Sequence, residues 1–186
     1  IGLVEILTPH HLHREMALAA VEAGKHISLQ KPPALSVSEF DQVVEACERA
    51  GVRLRVFENF VFYPPIIEAK RLIEEGAVGE PLNIRMRSLA GSAAGGWEVP
   101  LESWAWRVRE ETCGGGPFVF DDGYHKFSIA LYLLGEVERV FAWMEEMPLG
   151  EGMRVDAPSI CIWKHREGNR FGSIDFTWAY DLYIKS

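Results

Sequence analysis

The order of the elements predicted in the first third of the chain restricts the fold most strongly. Short apolar runs over residues 2–7, 26–29 and 53–57 alternate with two segments, 11–23 and 36–50, whose apolar residues recur at helical spacing. Strand, helix, strand, helix, strand at these distances predicts a parallel sheet with right-handed crossover connections. This part of the chain is therefore predicted to be α/β.

From residue 81 onward the pattern changes. Alternating apolar and polar residues predict half-exposed strands, and Glu167-Gly168-Asn169 predicts a hairpin turn. These features are typical of a mostly antiparallel sheet with a helix packed on it, so the complete chain is predicted to be α/β followed by α+β. The predicted strands are 82–89, 138–146, 158–165 and 170–179, the predicted helices are 64–75 and 117–134, and 90–115 is predicted to be a long loop.

Polar residues follow each of the three predicted parallel strands. Thr8 follows the first strand, Gln30 and Lys31 follow the second, and Glu58 and Asn59 follow the third. The carboxyl ends of parallel strands meet at one edge of a sheet, and in open α/β sheets ligands bind there. We therefore expect a binding site at this edge.

Lys31 stands out among these residues because a proline follows it and favours an extended backbone at the lysine. A lysine before proline is also common on ordinary protein surfaces. Its position at the end of a predicted strand is what favours a functional role for Lys31.

Asp121 and His125 lie four residues apart in the predicted helix and so share a face. Gly123 between them suggests the close approach of another group, because glycine within a helix costs about 1 kcal/mol relative to alanine. An aspartate can orient an imidazole for proton transfer near neutral pH. From the spacing alone, an aspartate that interacts with the helix dipole beside an ordinary histidine is the favoured interpretation.

Composition excludes several classes of partner. The formal net charge is −8 and no run is rich in Lys or Arg, so neither nucleic acid nor an anionic membrane is an expected partner. No uncharged apolar stretch approaches the roughly 20 residues of a membrane span, and the first residues do not resemble a signal peptide. Three widely spaced cysteines are expected to be free thiols in a reducing cytoplasm.

Two further clusters were weighed as possible sites. The histidines within residues 10–13 lack a carboxylate or cysteine at metal-ligand spacing, so no metal site is predicted. Trp97, Trp104 and Trp106 in the predicted loop either stack on a ligand or form the small core of a lid.

Several motifs, in this order along nearly the whole chain, resemble those of the Gfo/Idh/MocA family of NAD(P)-dependent oxidoreductases. That family has a strand ending in Thr-Pro, a histidine shortly after it, A-G-K-H, E-K-P, an Asn after the sixth Rossmann strand, Trp-Arg and D-x-G-x-H. The corresponding residues here are Thr8-Pro9, His13, Ala23-Gly24-Lys25-His26, Gln30-Lys31-Pro32, Asn59, Trp106-Arg107 and Asp121-Asp122-Gly123-Tyr124-His125.

The resemblance implies an enzyme that transfers a hydride between NAD or NADP and a sugar, polyol or related hydroxy or keto compound. Lys31 would hold or protonate the substrate oxygen, and His125, supported by Asp121, would act as general base. The residues implied in cofactor binding are Thr8, Pro9, His13, Gln30, Lys31 and Asn59, and those implied in substrate binding are Trp106, Arg107 and Asp122.

The chain departs from the family pattern in ways that affect these expectations. Gln30 replaces the glutamate before the lysine, Val61 replaces an arginine and Ser128 replaces an aspartate, and the segment between the glycines and Asp121 is one residue longer. The sequence also contains no G-x-G-x-x-G. By resemblance, residues 1–60 supply strands four to six of a Rossmann-type sheet and 61–186 part of a substrate and dimerisation domain. We expect this chain not to bind NAD(P) tightly by itself, and to be inactive alone.

Two other functions fit the same residues. One is a non-redox relative that uses bound NAD for elimination or hydrolysis, for which the three replaced residues leave room. The other is a non-catalytic, truncated paralogue that serves as a dimerisation module. The family's exposed sheet commonly packs against a second copy, so a homo-oligomer through the antiparallel sheet is expected in any of these cases.

Overall fold

The structure is a computed structural model, and it describes residues 1–90, 103, 105–150 and 152–178. The helices are α1 (His13–Glu22), α2 (Val37–Ala50), α3 (Pro64–Glu74), α4 (Glu110–Cys113) and α5 (Gly123–Leu134). The strands are β1 (Leu3–Ile6), β2 (His26–Gln30), β3 (Leu54–Phe57), β4 (Asn83–Ala90), β5 (Val137–Met144), β6 (Met147–Gly150), β7 (Met153–Val155), β8 (Ser159–His165) and β9 (Phe171–Trp178).

The first sheet has three parallel strands in the order β1-β2-β3, which confirms the predicted alternation of strands and helices. Helices α1 and α2 pack against each other, and their apolar residues join those of the strands in one buried cluster. The chain enters α2 through a cap, because Ser36 Oγ accepts a hydrogen bond from Glu39 N at 3.2 Å. Gly51 ends α2 in the left-handed conformation with φ of 66°.

The second sheet has the strand order β4-β9-β8-β5. Its β9-β8 and β8-β5 pairs are antiparallel, whereas β4 and β9 are parallel. The predicted mostly antiparallel sheet is thus confirmed, with one parallel pair that the sequence did not indicate. The predicted turn at Gly168 joins β8 to β9, and a small hairpin of β6 and β7 was not predicted.

One face of the second sheet is buried beneath α5 and the turn that precedes it. Gly123, the first residue of α5, has no room for a side chain, because a Cβ there would lie 3.1 Å from Phe118 O and 3.2 Å from Phe176 Cζ. The expected close approach at this glycine is confirmed. It allows the helix to lie directly on β9.

The predicted helix 117–134 is not a single α-helix. Residues 117–122 form a π-helical turn, and regular α-helix begins only at Gly123. A π turn spaces its hydrogen-bonded residues more widely than an α-helix does, so side chains on either side of it no longer follow the four-residue rule. This change of phase separates Asp121 from His125.

Asp156 anchors the start of the π turn. Its Oδ1 accepts a hydrogen bond from Phe118 N at 2.8 Å and its Oδ2 accepts one from Val119 N at 2.6 Å, with Phe120 N at 3.4 Å. Burial raises the pKa of Asp156 above its usual value, and these backbone N–H groups oppose that rise. A Cβ at Gly116 would lie 2.5 Å from Asp156 Cγ, so the glycine allows the carboxylate to reach these N–H groups.

Part of the predicted loop 90–115 has regular structure. Residues 105–108 form a 3-10 turn, and α4 follows it directly. Trp97 and Trp104, which the sequence offers either for stacking on a ligand or for the core of a lid, lie outside the described residues. Within the described ranges, no helix is both long enough and apolar enough to cross a membrane.

We expect Asp156→Ala to lower the free energy of unfolding by about 2–4 kcal/mol, because buried N–H groups at a helix start lose their acceptor. Asp41→Ala on the exposed face of α2 is the matched control and should change it by less than about 0.5 kcal/mol. Chemical denaturation measures both values. Equal stability of the two variants would contradict the anchoring role of Asp156.

Candidate active site

The candidate site lies where the first sheet meets the π turn and α5. In the register of the first sheet Gln30 pairs with Phe57, so Lys31 and Glu58 follow side by side at the ends of β2 and β3. Residues from the second half of the chain contact both of them. The site is therefore assembled from segments about 60 to 90 residues apart in sequence.

Lys31 forms a largely buried ion pair with Asp121. Its Nζ donates to Asp121 Oδ1 at 2.5 Å and to the main-chain oxygen of Asp121 at 2.9 Å. The two side chains are only 14% and 8% exposed. In a pair so well shielded from water, loss of Asp121 would leave the Lys31 ammonium buried without the carboxylate that it contacts.

Arg107 and His10 complete the surroundings of the Asp121 carboxylate. Arg107 Nε donates to Asp121 Oδ2 at 3.1 Å, and its guanidinium lies 4.3 Å above the Trp106 ring. Trp106 also packs edge-on against His10. The predicted substrate residues Trp106 and Arg107 thus lie beside the predicted catalytic residues.

His10 is buried as a neutral ring. Its Nδ1 donates to Cys113 O at 2.9 Å, and its Nε2 lies 3.5 Å from Asp121 Oδ1. Burial lowers the pKa of His10 from 6.5 to about 4, although the hydrogen bond to Cys113 and the charge of Asp121 act in the opposite direction.

His125 has Glu58 as its hydrogen-bond partner. His125 Nδ1 lies 2.9 Å from both Glu58 Oε1 and Glu58 Oε2. The expectation that Asp121 supports His125 needs correction, because the π turn directs the Asp121 carboxylate toward Lys31 and Arg107. The sequence had placed Glu58 at a strand end without giving it a role.

Glu58 is held in its charged form. Burial raises its pKa, but the hydrogen bonds from His125 and from Phe60 N, with the charge of nearby Lys31, lower it by more. The net result is a pKa below the usual value for a glutamate. Lys31 and Glu58 follow neighbouring strand ends and Glu58 contacts His125, so Lys31 and His125 lie in one neighbourhood.

The residues expected to bind a cofactor occupy the same edge in different ways. Thr8 and Pro9 are half-buried after β1, and Asn59 is exposed after β3. Gln30 Oε1 accepts a hydrogen bond from Lys31 N at 2.8 Å. Two side-chain amides, those of Gln30 and Asn59, therefore lie at this edge.

His13 contributes in a different way from the expected cofactor contact. The side chain is fully buried, and its two nitrogens lie 2.9 Å from Thr8 O and 2.9 Å from Pro32 O. Both nitrogens therefore face backbone carbonyls, which can only accept. Burial lowers the pKa of His13, and a neutral ring donates to one of the two carbonyls and packs beside the other. His13 supports the sheet edge from within.

Asp122, expected to contact substrate, binds neighbouring protein side chains. Ser88 Oγ donates to Asp122 Oδ2 at 2.9 Å, and Lys126 Nζ donates to Asp122 Oδ1 at 2.6 Å. It links β4 to α5. Among the described residues, no group of three or more His, Cys, Asp or Glu side chains is placed to hold a metal ion.

Family models match both halves of the chain. Residues 1–58 match the model described as an oxidoreductase family with an NAD-binding Rossmann fold, and residues 66–182 match the Gfo/Idh/MocA C-terminal domain. The fold and the assembled site define a Rossmann-type oxidoreductase architecture. The chain belongs to the Gfo/Idh/MocA family, as its motifs predicted.

Individual relatives agree with this assignment. The chain is 36% identical over 157 residues to levoglucosan dehydrogenase of Pseudarthrobacter phenanthrenivorans, covering 82% of this chain and 39% of that protein. It is 31% identical to 2,7-anhydro-N-acetylneuraminate hydratase of Escherichia coli, covering 74% of this chain and 34% of that protein. A structure of levoglucosan dehydrogenase with NADH and levoglucosan superposes with a TM-score of 0.80 at 34% identity, covering 95% of this chain and 48% of that one. The chain thus spans less than half the length of these relatives.

Burial of neutral His10 makes stability depend on pH in a defined window. The unfolded chain binds a proton at His10 near pH 6.5, whereas the folded chain binds it only near pH 4. Stability due to His10 is therefore present above pH 6.5, is lost as the pH falls toward 4, and changes no further below that. The loss is on the order of 1 kcal/mol per pH unit.

Denaturant unfolding at several pH values measures this dependence. His10→Asn should reduce the slope between pH 6.5 and 4. The slope that remains includes a contribution from His13, whose pKa is also lowered by burial. An equal slope in wild type and His10→Asn would show that His10 is not the buried neutral group.

Proposed function

We propose that the protein containing this chain is an oxidoreductase that transfers a hydride between NAD or NADP and a sugar, polyol or related hydroxy or keto compound. The observation that carries the proposal is the pairing of Lys31 with Asp121 and of His125 with Glu58 at one sheet edge. Dehydrogenases among the relatives, which include one named for levoglucosan and one for D-apiose, support this class of substrate.

Lys31 is suited to bind the oxygen of the substrate. An ammonium group has three N–H donors, and two of them are directed at Asp121. Among the described residues no other acceptor contacts this ammonium, so the third N–H can donate to a hydroxyl or carbonyl oxygen. Negative charge builds on that oxygen as a hydride leaves the adjacent carbon. Asp121 and Arg107 fix the position of the ammonium and keep its charge balanced.

His125 is suited to accept the hydroxyl proton. Because a carboxylate can only accept hydrogen bonds, the contact with Glu58 places a proton on Nδ1 and leaves Nε2 with its lone pair. In the reverse direction the imidazolium returns the proton to the carbonyl oxygen. The alcohol and the ketone are thereby interconverted without free acid or base.

A nicotinamide cofactor, when bound, supplies the hydride acceptor or donor. Thr8, Pro9, Gln30, Lys31 and Asn59 would hold its nicotinamide end, as members of a partial dinucleotide-binding domain over residues 1–60. Residues 61–186 would carry the substrate side of the site. We also infer a cytoplasmic location, which the unpaired, buried cysteines 47, 113 and 161 support.

Single substitutions test the assigned proton roles in the protein at its full natural length. We expect Lys31→Met and His125→Ala each to lower kcat about 10²–10⁴-fold, because each removes a group that handles the proton. The absorbance of the reduced nicotinamide, followed with a panel of sugars and polyols, measures the rate.

Lys25→Met and His11→Ala, outside the site, are the matched controls and should retain activity. If Lys31→Met and His125→Ala were as active as these controls, the proposed proton roles would be wrong.

A second candidate is a non-redox reaction, such as hydration or elimination, that uses bound NAD without net oxidation. The likeness to two 2,7-anhydro-N-acetylneuraminate hydratases favours it, and the same Lys31 and His125 would move protons in it. Turnover without net change in nicotinamide absorbance would select this candidate over the dehydrogenase.

We further propose that a second copy of the protein covers the outer face of the second sheet. Phe141 and Trp143 on β5 are 60% and 63% exposed, and they pair in register with Ile162 and Ile160 on β8, which are 45% and 47% exposed. Contiguous exposed apolar side chains of this kind mark interaction surfaces. The self-complementary partner is another copy of the same face.

Sedimentation of the full-length protein tests this interface. We expect an oligomer, and Phe141→Asp should shift it toward monomer by placing a charge within the apolar face. Val37→Asp, at an exposed position on α2, is the control and should sediment like wild type. An unaltered oligomer in Phe141→Asp would assign the contact to another surface.

A further inference from the structure

Glu58 is hydrogen-bonded to the edge of the His125 imidazole, at Nδ1. The carboxylate follows β3 directly, is 14% exposed, and lies with both oxygens 2.9 Å from His125 Nδ1. Its Oε1 also accepts a hydrogen bond from Phe60 N at 2.7 Å. The hydrogen bond from Phe60 N therefore fixes the carboxylate independently of its contact with the histidine.

Phe60 packs against the face of the same imidazole. The two rings are stacked, with centroids 4.1 Å apart and planes inclined by only 12°. Phe60 begins the 3-10 turn 60–62, and this turn packs against α5. The segment 58–60 thus fixes both the plane of the His125 ring and the nitrogen that carries its proton.

We propose that Glu58, with Phe60, is the positioning residue for His125 and selects the tautomer in which Nε2 is free to accept a proton. The acceptance of a proton by Nε2 rests on the proposed function, whereas the orientation and tautomer of the ring do not. Glu58 itself has no contact with the reacting atoms, because both of its oxygens face Nδ1. It acts by orienting the ring and by stabilising the imidazolium that forms when Nε2 accepts the proton.

The other charged groups around α5 are engaged elsewhere. Lys126 Nζ pairs with Asp122 and lies 5.3 Å from the Phe60 ring centroid. Burial raises the pKa of Tyr124, so its hydroxyl stays neutral.

Charged groups on the neighbouring elements also have partners of their own. Lys31, which acts electrostatically on Glu58, is paired with Asp121. On α3, Lys70 pairs with Glu74 and lies over the Tyr132 ring. Glu58 is the anion in direct contact with His125.

Glu58→Gln tests the role of the charge with little change of shape. The amide can still accept from one N–H, but its NH2 group can donate to Nδ1 and so favour the tautomer with the proton on Nε2. In the full-length protein we expect kcat to fall about 10–100-fold with little change in KM. The acid limb of the pH–rate profile should move to lower pH, because the imidazolium loses its neighbouring anion.

Two further variants separate positioning from a general structural effect. Glu58→Asp keeps the carboxylate one methylene shorter and should recover part of the lost kcat. Glu45→Gln, exposed on α2, should behave as wild type. Proton–nitrogen NMR correlation spectra of the histidine rings report the tautomer directly and require no turnover. We expect the proton of His125 on Nδ1 in wild type and a shift toward Nε2 in Glu58→Gln.

The outcomes distinguish this inference from the proposed function. If the tautomer shifts in Glu58→Gln but His125→Ala keeps full activity, Glu58 positions the ring and the proposed catalytic role is wrong. If His125→Ala is inactive while Glu58→Gln keeps the wild-type tautomer, kcat and pH profile, the positioning role is overturned and the proposed function stands.

Discussion

The ion pair between Lys31 and Asp121 is the interaction on which the candidate site depends. It joins the end of β2 to the π turn across 90 positions of sequence and is almost fully shielded from water. Around it the charges alternate in space, from Arg107 to Asp121 to Lys31 to Glu58, with His125 following. The Asp121 carboxylate contacts Lys31 and Arg107, and the Glu58 carboxylate accepts hydrogen bonds from His125 and Phe60 N. Each of these two carboxylates thus has donors that compensate for its removal from water.

This arrangement explains why the two halves of the chain meet where they do. The first half supplies the sheet edge, where the buried His13 ring lies between the backbone carbonyls of Thr8 and Pro32. The second half supplies the π turn, whose start is fixed by Asp156. Neither half has the complete set of charges, so the site forms only when both halves are folded and in contact.

Much of the fold could be predicted from sequence because the spacing of apolar residues and the positions of turn-forming residues are local properties. The parallel strands, their polar ends and the turn at Gly168 all follow from residues close together in the chain. The pairing of β4 with β9 could not be foreseen, because the same alternating pattern serves parallel and antiparallel neighbours alike. The π turn was missed for a related reason, since the apolar residues of 117–134 suit a continuous helix.

The members of the site were easier to predict than their partners. Lys31, Asp121 and His125 stand out by position and spacing, but the four-residue rule assigned Asp121 to the wrong partner once the π turn changed the phase. The extra residue between the glycines and Asp121 was the available signal for that turn. Glu58 meets His125 only through the tertiary fold, 67 positions away, and a strand-end glutamate alone does not indicate such a contact.

A double-mutant cycle measures directly how far Lys31 and Asp121 depend on each other in the folded protein. Unfolding free energies are needed for wild type, Lys31→Met, Asp121→Asn and the double variant. We expect Asp121→Asn to cost about 3 kcal/mol, because it leaves the buried Lys31 ammonium without the carboxylate that it contacts. Lys31→Met should cost less, because Arg107 still contacts Asp121. If the two residues depend on each other, the double change costs at least about 1 kcal/mol less than the sum of the two single changes. Additivity within about 0.5 kcal/mol would contradict it.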